Sequence, residues 1–183
     1  MRIVAGLAKG RRLAAPAAGT RPTSDRAREA LFNSLTALLD LDGARVLDLF
    51  AGTGAVGLEA LSRGAAEVVF VESERAAADV LRRNVDAVGL AGTRIVRRPA
   101  APYLRGPADA PFDFVFADPP YAFEDGALDG LLDRLVRGGW LAPQAVVVLE
   151  RAARGRPPAW PNEVDAIQDR RYGEGVLWYG RRR

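Results

Sequence analysis

Short, mostly apolar runs along the chain predict five buried β-strands. They are rich in valine, leucine and phenylalanine and cover residues 45–50, 67–72, 94–96, 112–117 and 145–150. Near-continuous apolar strands are typical of parallel sheets, which are covered on both faces. Alanine-rich segments with helical character separate the runs, in the order of β-α-β units. Right-handed crossovers then predict an α/β protein with a doubly wound sheet.

The two ends of the chain carry other patterns. Leucines at helical spacing follow Thr23 and Ser24, either of which can cap a helix, so an amphipathic helix is predicted there. Near the carboxyl end, residues 164–172 and 176–182 flank a Gly-Glu-Gly turn. This arrangement predicts a closing antiparallel hairpin.

Composition narrows the chemistry that the chain can perform. It has 183 residues, close to the size of one domain, and contains neither cysteine nor histidine. Disulfides and thiolate catalysis are therefore excluded, and we expect no metal site. No run of eighteen apolar residues occurs, and the first residues lack the apolar core of a signal peptide. We expect a cytoplasmic protein that does not enter a membrane.

Positive charge is concentrated at the amino-terminal end. Residues 1–30 contain seven basic and two acidic residues, although the net charge of the whole chain is only +3. We expect residues 1–24 to form a basic extension that contacts a polyanion, followed by one domain over residues 25–183. A solvated tail without a partner is the alternative. The candidate contacts are Lys9, Arg11, Arg12, Arg21, Thr23, Arg26, Arg28 and Asn33.

A glycine-rich loop follows the first predicted strand. Residues 48–60 read DLFAGTGAVGLEA and contain the pattern G-x-G-x-x-G between a strand and a helix. Glu72 ends the second strand, where a carboxylate can accept hydrogen bonds from ribose hydroxyls. These features suit any adenosine ligand. Asp48, four residues before Gly52, favours a cationic ligand over a pyrophosphate. S-adenosylmethionine carries such a cation and no phosphate.

A second motif, DPPY, follows the fourth predicted strand at residues 118–121. Ligands of open parallel sheets bind beyond the carboxyl ends of the strands, so this motif and the glycine loop face one crevice. The Asp118 carboxylate and the Pro119 carbonyl can each accept one N–H of an exocyclic amine, which directs its lone pair at a methyl donor. Pro119 and Pro120 stiffen the turn, and Tyr121 can stack on a nucleobase.

With RPTSDRAREALFNSL at residues 21–35, the two motifs resemble the RsmD family of small-subunit (16S) ribosomal RNA guanine-N2 methyltransferases. The resemblance runs from about Ile3 to Val148. It implies a monomer with the class I S-adenosylmethionine-dependent methyltransferase fold, a Rossmann-like, mostly parallel seven-stranded sheet. It also implies that the substrate is a guanine in ribosomal RNA of the small subunit or its assembly intermediate.

The resemblance assigns roles to individual residues. Asp118 to Tyr121 would hold the guanine. Pro99 stands where such enzymes commonly have Asp or Asn, so backbone groups would recognise the adenine of the cofactor. The implied cofactor contacts are Asp48, Phe50, Ala51, Gly52, Thr53, Gly54, Glu72, Ala100 and Ala101.

Three other activities fit parts of the pattern. The amine-binding motif also suits the 6-amino group of adenine in DNA or RNA, which is the nearest alternative. An NAD-dependent oxidoreductase would use the glycine loop, but Asp48 and the lack of histidine and cysteine disfavour it. A non-catalytic RNA-binding or assembly factor would keep the fold without the chemistry, which the intact DPPY motif disfavours.

Overall fold

A computed structural model describes residues 1–15, 25–120 and 122–183, with Arg26 described in its backbone alone. The strands are β1 (Arg45–Leu49), β2 (Glu67–Glu72), β3 (Thr93–Arg97), β4 (Phe112–Ala117), β5 (Leu141–Ala152), β6 (Val164–Tyr172) and β7 (Gly175–Arg182). The helices are α1 (Asp25–Leu35), α2 (Ala55–Ser62), α3 (Arg75–Val88), α4 (Ala100–Tyr103) and α5 (Asp125–Arg137).

Within these residues the strands form one seven-stranded sheet in the order β3-β2-β1-β4-β5-β7-β6. The first five strands pair in parallel, and β7 is antiparallel to both β5 and β6. The predicted fold, including the carboxyl-terminal hairpin, is confirmed. β5 departs most from its predicted bounds. It begins at Leu141, before an irregular step in its pairing with β4, and Gln144 has a left-handed conformation (φ 65°).

The order of the strands reverses at the centre of the sheet. From β1 the chain moves outward through β2 to β3, and then returns to the other side of β1 to form β4 and β5. Such a reversal opens a crevice beyond the carboxyl ends of the two central strands. Asp48 lies near the end of β1 and Asp118 directly follows β4. The fold therefore brings both candidate motifs to one crevice.

Side-chain alternation along the strands divides the apolar core between the two faces of the sheet. Val46 packs with residues of α1, α2 and α3 on one face, whereas Leu47 and Leu49 pack with residues of α4 and α5 on the other. Asp48, between these two leucines, consequently points to the face covered by α1, α2 and α3.

The first fifteen residues pack on this same face. An antiparallel bridge joins Arg2 to Arg12, and Ile3, Ala8 and Leu13 are buried in the core. This segment therefore shares the hydrophobic core with the rest of the chain, and a separate extension is not seen among residues 1–15. The remainder of the predicted extension, at 16–24, lies outside the described residues.

A buried polar network fastens the amino-terminal segment to α2. Glu59 accepts the backbone N–H groups of Val4 and Ala5 at 2.8 and 3.0 Å. Its carboxylate also pairs with Arg28 at 3.5 Å and with Arg63 at 2.9 Å. The side chains of Glu59 and Arg28 are both 0% exposed. Buried charges persist when they are paired and hydrogen-bonded. Glu59 meets both conditions, whereas Arg28 is paired with it but forms hydrogen bonds to described residues through Nη2 alone.

The structure corrects one sequence prediction about RNA contacts. The sequence predicts Arg28 at the basic surface, but its side chain lies beneath that surface and donates to the Arg2 carbonyl and to Asp25. Its charge balances Glu59 within the core. Arg28 is therefore a structural residue, and its prediction as an RNA contact is wrong.

Replacing Glu59 with alanine should lower the free energy of unfolding by about 3–5 kcal/mol. Among the described residues, Arg28 would keep only the more exposed Asp25 as a charge partner. Urea unfolding followed by circular dichroism measures the change. The control is Glu67→Ala, because the Arg45–Glu67 pair is partly exposed (24% and 34%). Its loss should be under about 1 kcal/mol. Equal losses in the two variants would contradict a special role for the buried pair.

Candidate active site

The loop after β1 has two glycines that serve different purposes. Gly52 and Gly54 adopt positive φ values of 54° and 77°, which favour glycine. A Cβ on Gly54 would lie 2.2 Å from the Leu81 side chain, whereas a Cβ on Gly52 would meet nothing closer than 4.0 Å. Gly54 thus lets α3 pack closely against the loop. Gly52 borders open space that a ligand can approach.

Asp48 lies beneath the glycine loop. Its side chain is buried, and one carboxylate oxygen accepts the Gly57 N–H at 3.0 Å. Burial raises the pKa of Asp48 to about 7; the Gly57 hydrogen bond opposes this shift, and repulsion from Glu72 adds to it. A carboxylate in such surroundings becomes more stable when a cation binds nearby. This agrees with the preference for a cationic ligand expected from the sequence.

Glu72 connects the end of β2 to the glycine loop. Its two carboxylate oxygens accept the N–H groups of Gly52 and Glu74, each at 2.8 Å. Each oxygen keeps a second lone pair that can accept another donor. Glu72 therefore holds the loop in position, a role that the sequence did not reveal, and can still accept a hydroxyl group.

Three further residues predicted at the cofactor lie in the same loop. Phe50 has a left-handed φ of 61°, which is uncommon for a residue with a Cβ and occurs often at functional sites. Ala51 donates its N–H to the Val71 carbonyl at 3.0 Å. Thr53 is buried, and its carbonyl accepts the Asn84 side-chain amide at 2.9 Å. The sequence analysis missed Asn84.

Ala100 and Ala101 lie at the same edge of the sheet as Glu72. β3 pairs with β2 so that Arg97 is opposite Glu72, and the chain turns through Pro99 into α4, which begins at Ala100. Ala100 is buried and Ala101 is half-buried. The structure thus brings these two residues near the ribose candidate; their contact with an adenine stays a prediction.

The amine-binding motif lies directly beside the glycine loop. β1 and β4 pair in parallel with Leu49 opposite Ala117, so Asp118 and Phe50 leave the sheet at the same level. Asp118 is half-buried, Pro119 is buried and Pro120 is exposed. Tyr121 lies outside the described residues, and its stacking role stays a prediction.

Asp118 has an acid-rich environment. Burial raises its pKa to about 8, repulsion from Glu150 and then Asp48 adds to the shift, and the positive charge of Arg151 opposes it. Two neighbouring strands thus each contribute a carboxyl group with a raised pKa. Such a site favours cations and hydrogen-bond donors.

Phe123, three residues after Pro120, is held by hydrogen bonds on both sides. Phe123 donates its N–H to the Pro120 carbonyl at 2.8 Å, and Arg151 donates to the Phe123 carbonyl at 2.9 Å while pairing with Asp125 at 3.1 Å. The Phe123 ring also meets the Phe50 ring edge to face, with centroids 5.2 Å apart. The two loops of the candidate site therefore support each other directly. The sequence analysis did not identify Phe123 or Arg151.

The predicted RNA contacts separate into groups. Lys9, Arg12 and Asn33 are exposed. Arg11 is also exposed, but its guanidinium donates to the Ala87 and Val88 carbonyls at 3.1 and 2.5 Å, at the carboxyl end of α3. The Arg11 side chain therefore helps to hold the amino-terminal segment against α3. The predicted contacts that lie outside the described residues are Arg21, Thr23 and the side chain of Arg26.

In the described part of the chain, no group of three or more acidic side chains has the arrangement of a metal site. In the same residues, no helix is both long enough and apolar enough to cross a membrane.

The sheet order and the two adjoining loops define a class I methyltransferase. The chain belongs to the family described as conserved hypothetical protein 95, whose model matches residues 1–181. It is 40% identical over 162 residues to ribosomal RNA small subunit methyltransferase D of Escherichia coli K12, covering 88% of this chain and 79% of that protein. The protein of the same name from Haemophilus influenzae is 33% identical over 177 residues, covering 94% and 89%.

Solved structures give the same result. A structure from Escherichia coli described as a candidate methyltransferase has a TM-score of 0.88 and 36% identity, covering 100% of this chain and 97% of its own. A hypothetical protein from Thermus thermophilus has a TM-score of 0.81 and 35% identity, covering 98% of each chain. The family and the methyltransferase class predicted from the sequence are confirmed.

Asp48→Asn should stabilise the protein more at pH 8 than at pH 5. Because folding raises the Asp48 pKa from 3.8 to about 7, the ionised carboxylate destabilises the folded state fully above pH 7 and progressively less as the pH falls towards 4. Asparagine keeps an acceptor for the Gly57 N–H. A gain of about 1 kcal/mol would raise Tm by about 2–4 °C in a chain of this size.

Thermal unfolding at the two pH values measures this effect, and exposed Asp169 supplies the control variant Asp169→Asn. The control should change Tm little at either pH. A gain for Asp48→Asn that is equal at pH 5 and pH 8 would contradict the raised pKa of Asp48.

Proposed function

We propose that this protein transfers a methyl group from S-adenosylmethionine to the 2-amino group of a guanine in small-subunit ribosomal RNA. The observation that carries the proposal is the meeting of the glycine loop with the Asp118-Pro119-Pro120 turn at neighbouring strand ends. The names of the two curated relatives support ribosomal RNA as the substrate. The two acceptors of the turn, one on Asp118 and one on Pro119, suit an exocyclic amine.

The residues around the glycine loop fit S-adenosylmethionine. Gly52 leaves space for the ligand, and Glu72 has lone pairs available for its ribose hydroxyls. The carboxyl groups of buried Asp48 and half-buried Asp118 suit its sulfonium and ammonium charges. When bound, the cofactor supplies an electrophilic methyl group.

Asp118 and Pro119 act on the guanine amine. The lone pair of this amine is delocalised into the ring, which makes it a poor nucleophile. When the Asp118 carboxylate and the Pro119 carbonyl each accept one N–H, the lone pair is oriented for attack. The methylated nitrogen then carries an extra proton. Asp118 can accept that proton, because its pKa of about 8 lies near neutral pH.

Phosphate contacts outside the crevice support access to the base. A stacked guanine must be extruded from structured RNA, which costs a few kcal/mol. Counterion release on binding phosphates offsets such a cost. Lys9 and Arg12 are exposed on the amino-terminal segment, residues 1–15. This segment packs on the face of the sheet that α1, α2 and α3 cover. We expect a monomer that acts in the cytoplasm on the small subunit or its assembly intermediate.

Asp118→Ala should slow methylation by about 100- to 1,000-fold, as expected when one preorganised contact to the reacting group is lost. Most of the cofactor affinity should be retained, since the direct partner of Asp118 is the amine. The control is Asp109→Ala, at a side chain that is 78% exposed.

The assay incubates each variant with small subunits from a strain lacking the enzyme, and mass spectrometry of nucleosides quantifies N2-methylguanosine. Wild-type turnover by the Asp118 variant would refute the amine-binding role. If the wild-type enzyme produced a methylated nucleoside other than N2-methylguanosine, the proposed substrate would be refuted.

Replacing both Lys9 and Arg12 with alanine should weaken binding to the RNA particle. It should also reduce the slope of log K against log salt concentration by about one to two units, because each of the two side chains neutralises one phosphate in the proposal. Cofactor affinity should not change. Affinity measured at several salt concentrations tests this, with Arg170→Ala/Arg171→Ala on exposed β6 as a charge-matched control. Identical slopes for wild type and the Lys9/Arg12 variant would reject these residues as phosphate contacts.

A further inference from the structure

Glu150 lies beside Asp118 at the carboxyl edge of the sheet. β4 and β5 pair in parallel with Ala117 opposite Leu149, so Asp118 and Glu150 occupy the next level of neighbouring strands. Adjacent strands lie about 4.8 Å apart. Ala117 and Leu149 both pack on the face of the sheet that α4 and α5 cover. Side-chain alternation along β5 directs Glu150 to the opposite face. Asp118 directly follows β4 and interacts electrostatically with both Glu150 and Asp48, whose side chain lies on that same face.

The surroundings of Glu150 agree with a carboxylate close to Asp118. The residue is half-buried, and one of its carboxylate oxygens would lie 3.4 Å from a Cβ on Gly175, which begins β7. After burial, repulsion from Glu150 is the largest cause that raises the pKa of Asp118, so the two charges are close. Glu150 therefore adds an acceptor next to the acceptors already assigned to the amine.

The acceptors in this part of the crevice match the donors of one purine. Guanine presents three adjacent donor hydrogens, two on its 2-amino group and one on N1. The Asp118 carboxylate and the Pro119 carbonyl account for the amine, and the N1–H requires a third acceptor beside them. Adenine carries an unprotonated N1 next to its amine, so a carboxylate there would face a lone pair. A site built around a hydrogen bond strongly rejects an analogue that cannot form it.

We propose that the Glu150 carboxylate accepts the N1–H of the target guanine and is the residue that selects guanine over adenine. The inference rests on the proposed methylation of guanine N2 and adds a specificity-determining contact to it. A carboxylate has about four lone-pair sites, so Glu150 can accept the N1–H while keeping other contacts.

The test uses an RNA fragment in which the methylated position, first mapped by product analysis, carries either guanine or 2-aminopurine. 2-Aminopurine keeps the 2-amino group but has no hydrogen on N1. Glu150→Met removes the acceptor with little change in size and should slow single-turnover methylation of the guanine RNA by about ten- to hundredfold, the range for losing a hydrogen bond to a charged group. On the 2-aminopurine RNA, the variant should be no slower than the wild type.

The guanine-to-2-aminopurine rate ratio within each preparation is independent of the active fraction, so partial misfolding of the variant cannot imitate the result. Glu150→Gln keeps a neutral carbonyl acceptor and should give an intermediate ratio. Glu163→Met, at an exposed glutamate, is the matched control and should retain the wild-type ratio.

Two outcomes overturn the assignment while leaving the proposed function intact. Equal slowing of Glu150→Met on both RNAs would mean that Glu150 acts through Asp118 or through the fold. A wild-type rate for Glu150→Met on the guanine RNA would mean that Glu150 makes no contact that contributes to methylation. A wild-type product other than N2-methylguanosine, read separately from the mass spectrum, would overturn both the function and the assignment.

Discussion

The parallel pairing of β1 with β4 determines where the two loops of the candidate site meet. Leu49 and Ala117 lie side by side in the sheet, and the residues that follow them leave it together. The glycine loop and the amine-binding turn are therefore held close by backbone hydrogen bonds of the central strands. Phe50 and Phe123 extend this contact beyond the sheet, with their rings edge to face. The relative position of the two loops thus depends on the most deeply buried part of the fold.

The basic residues near the amino terminus divide between structure and surface. Arg28 neutralises Glu59 inside the core, and Arg11 donates to the last carbonyls of α3, where positive charge is favourable. Lys9 and Arg12 remain at the surface. A local excess of charge in the sequence therefore overstates the number of residues available to a polyanion. The two structural arginines hold in place the same segment that carries the exposed pair.

The sequence was sufficient for features that depend on neighbours along the chain. Apolar runs predicted the strands, and the glycine loop could be recognised because strand, loop and helix are consecutive. Arg28 was misjudged because its partner Glu59 is distant in sequence. Asn84 was missed because it reaches the carbonyl of Thr53 from α3, which lies further along the chain. Glu59 did carry a signal: it is a charged residue in AVGLEALS, a helix that is buried throughout. A charge in such a helix requires a buried partner.

The acid-rich crevice also relates the cofactor to the amine-binding turn. In the free protein, Asp48 and Asp118 have pKa values of about 7 and 8, and the charge on Asp48 contributes to the shift of Asp118. A protonated Asp118 has one oxygen occupied by hydrogen and is a weaker acceptor than the carboxylate. Under the proposed function, the positive charge of the cofactor favours the ionised form of both acids. Asp118 therefore becomes a full acceptor for the guanine amine when a methyl donor is present, and the site achieves this without a histidine.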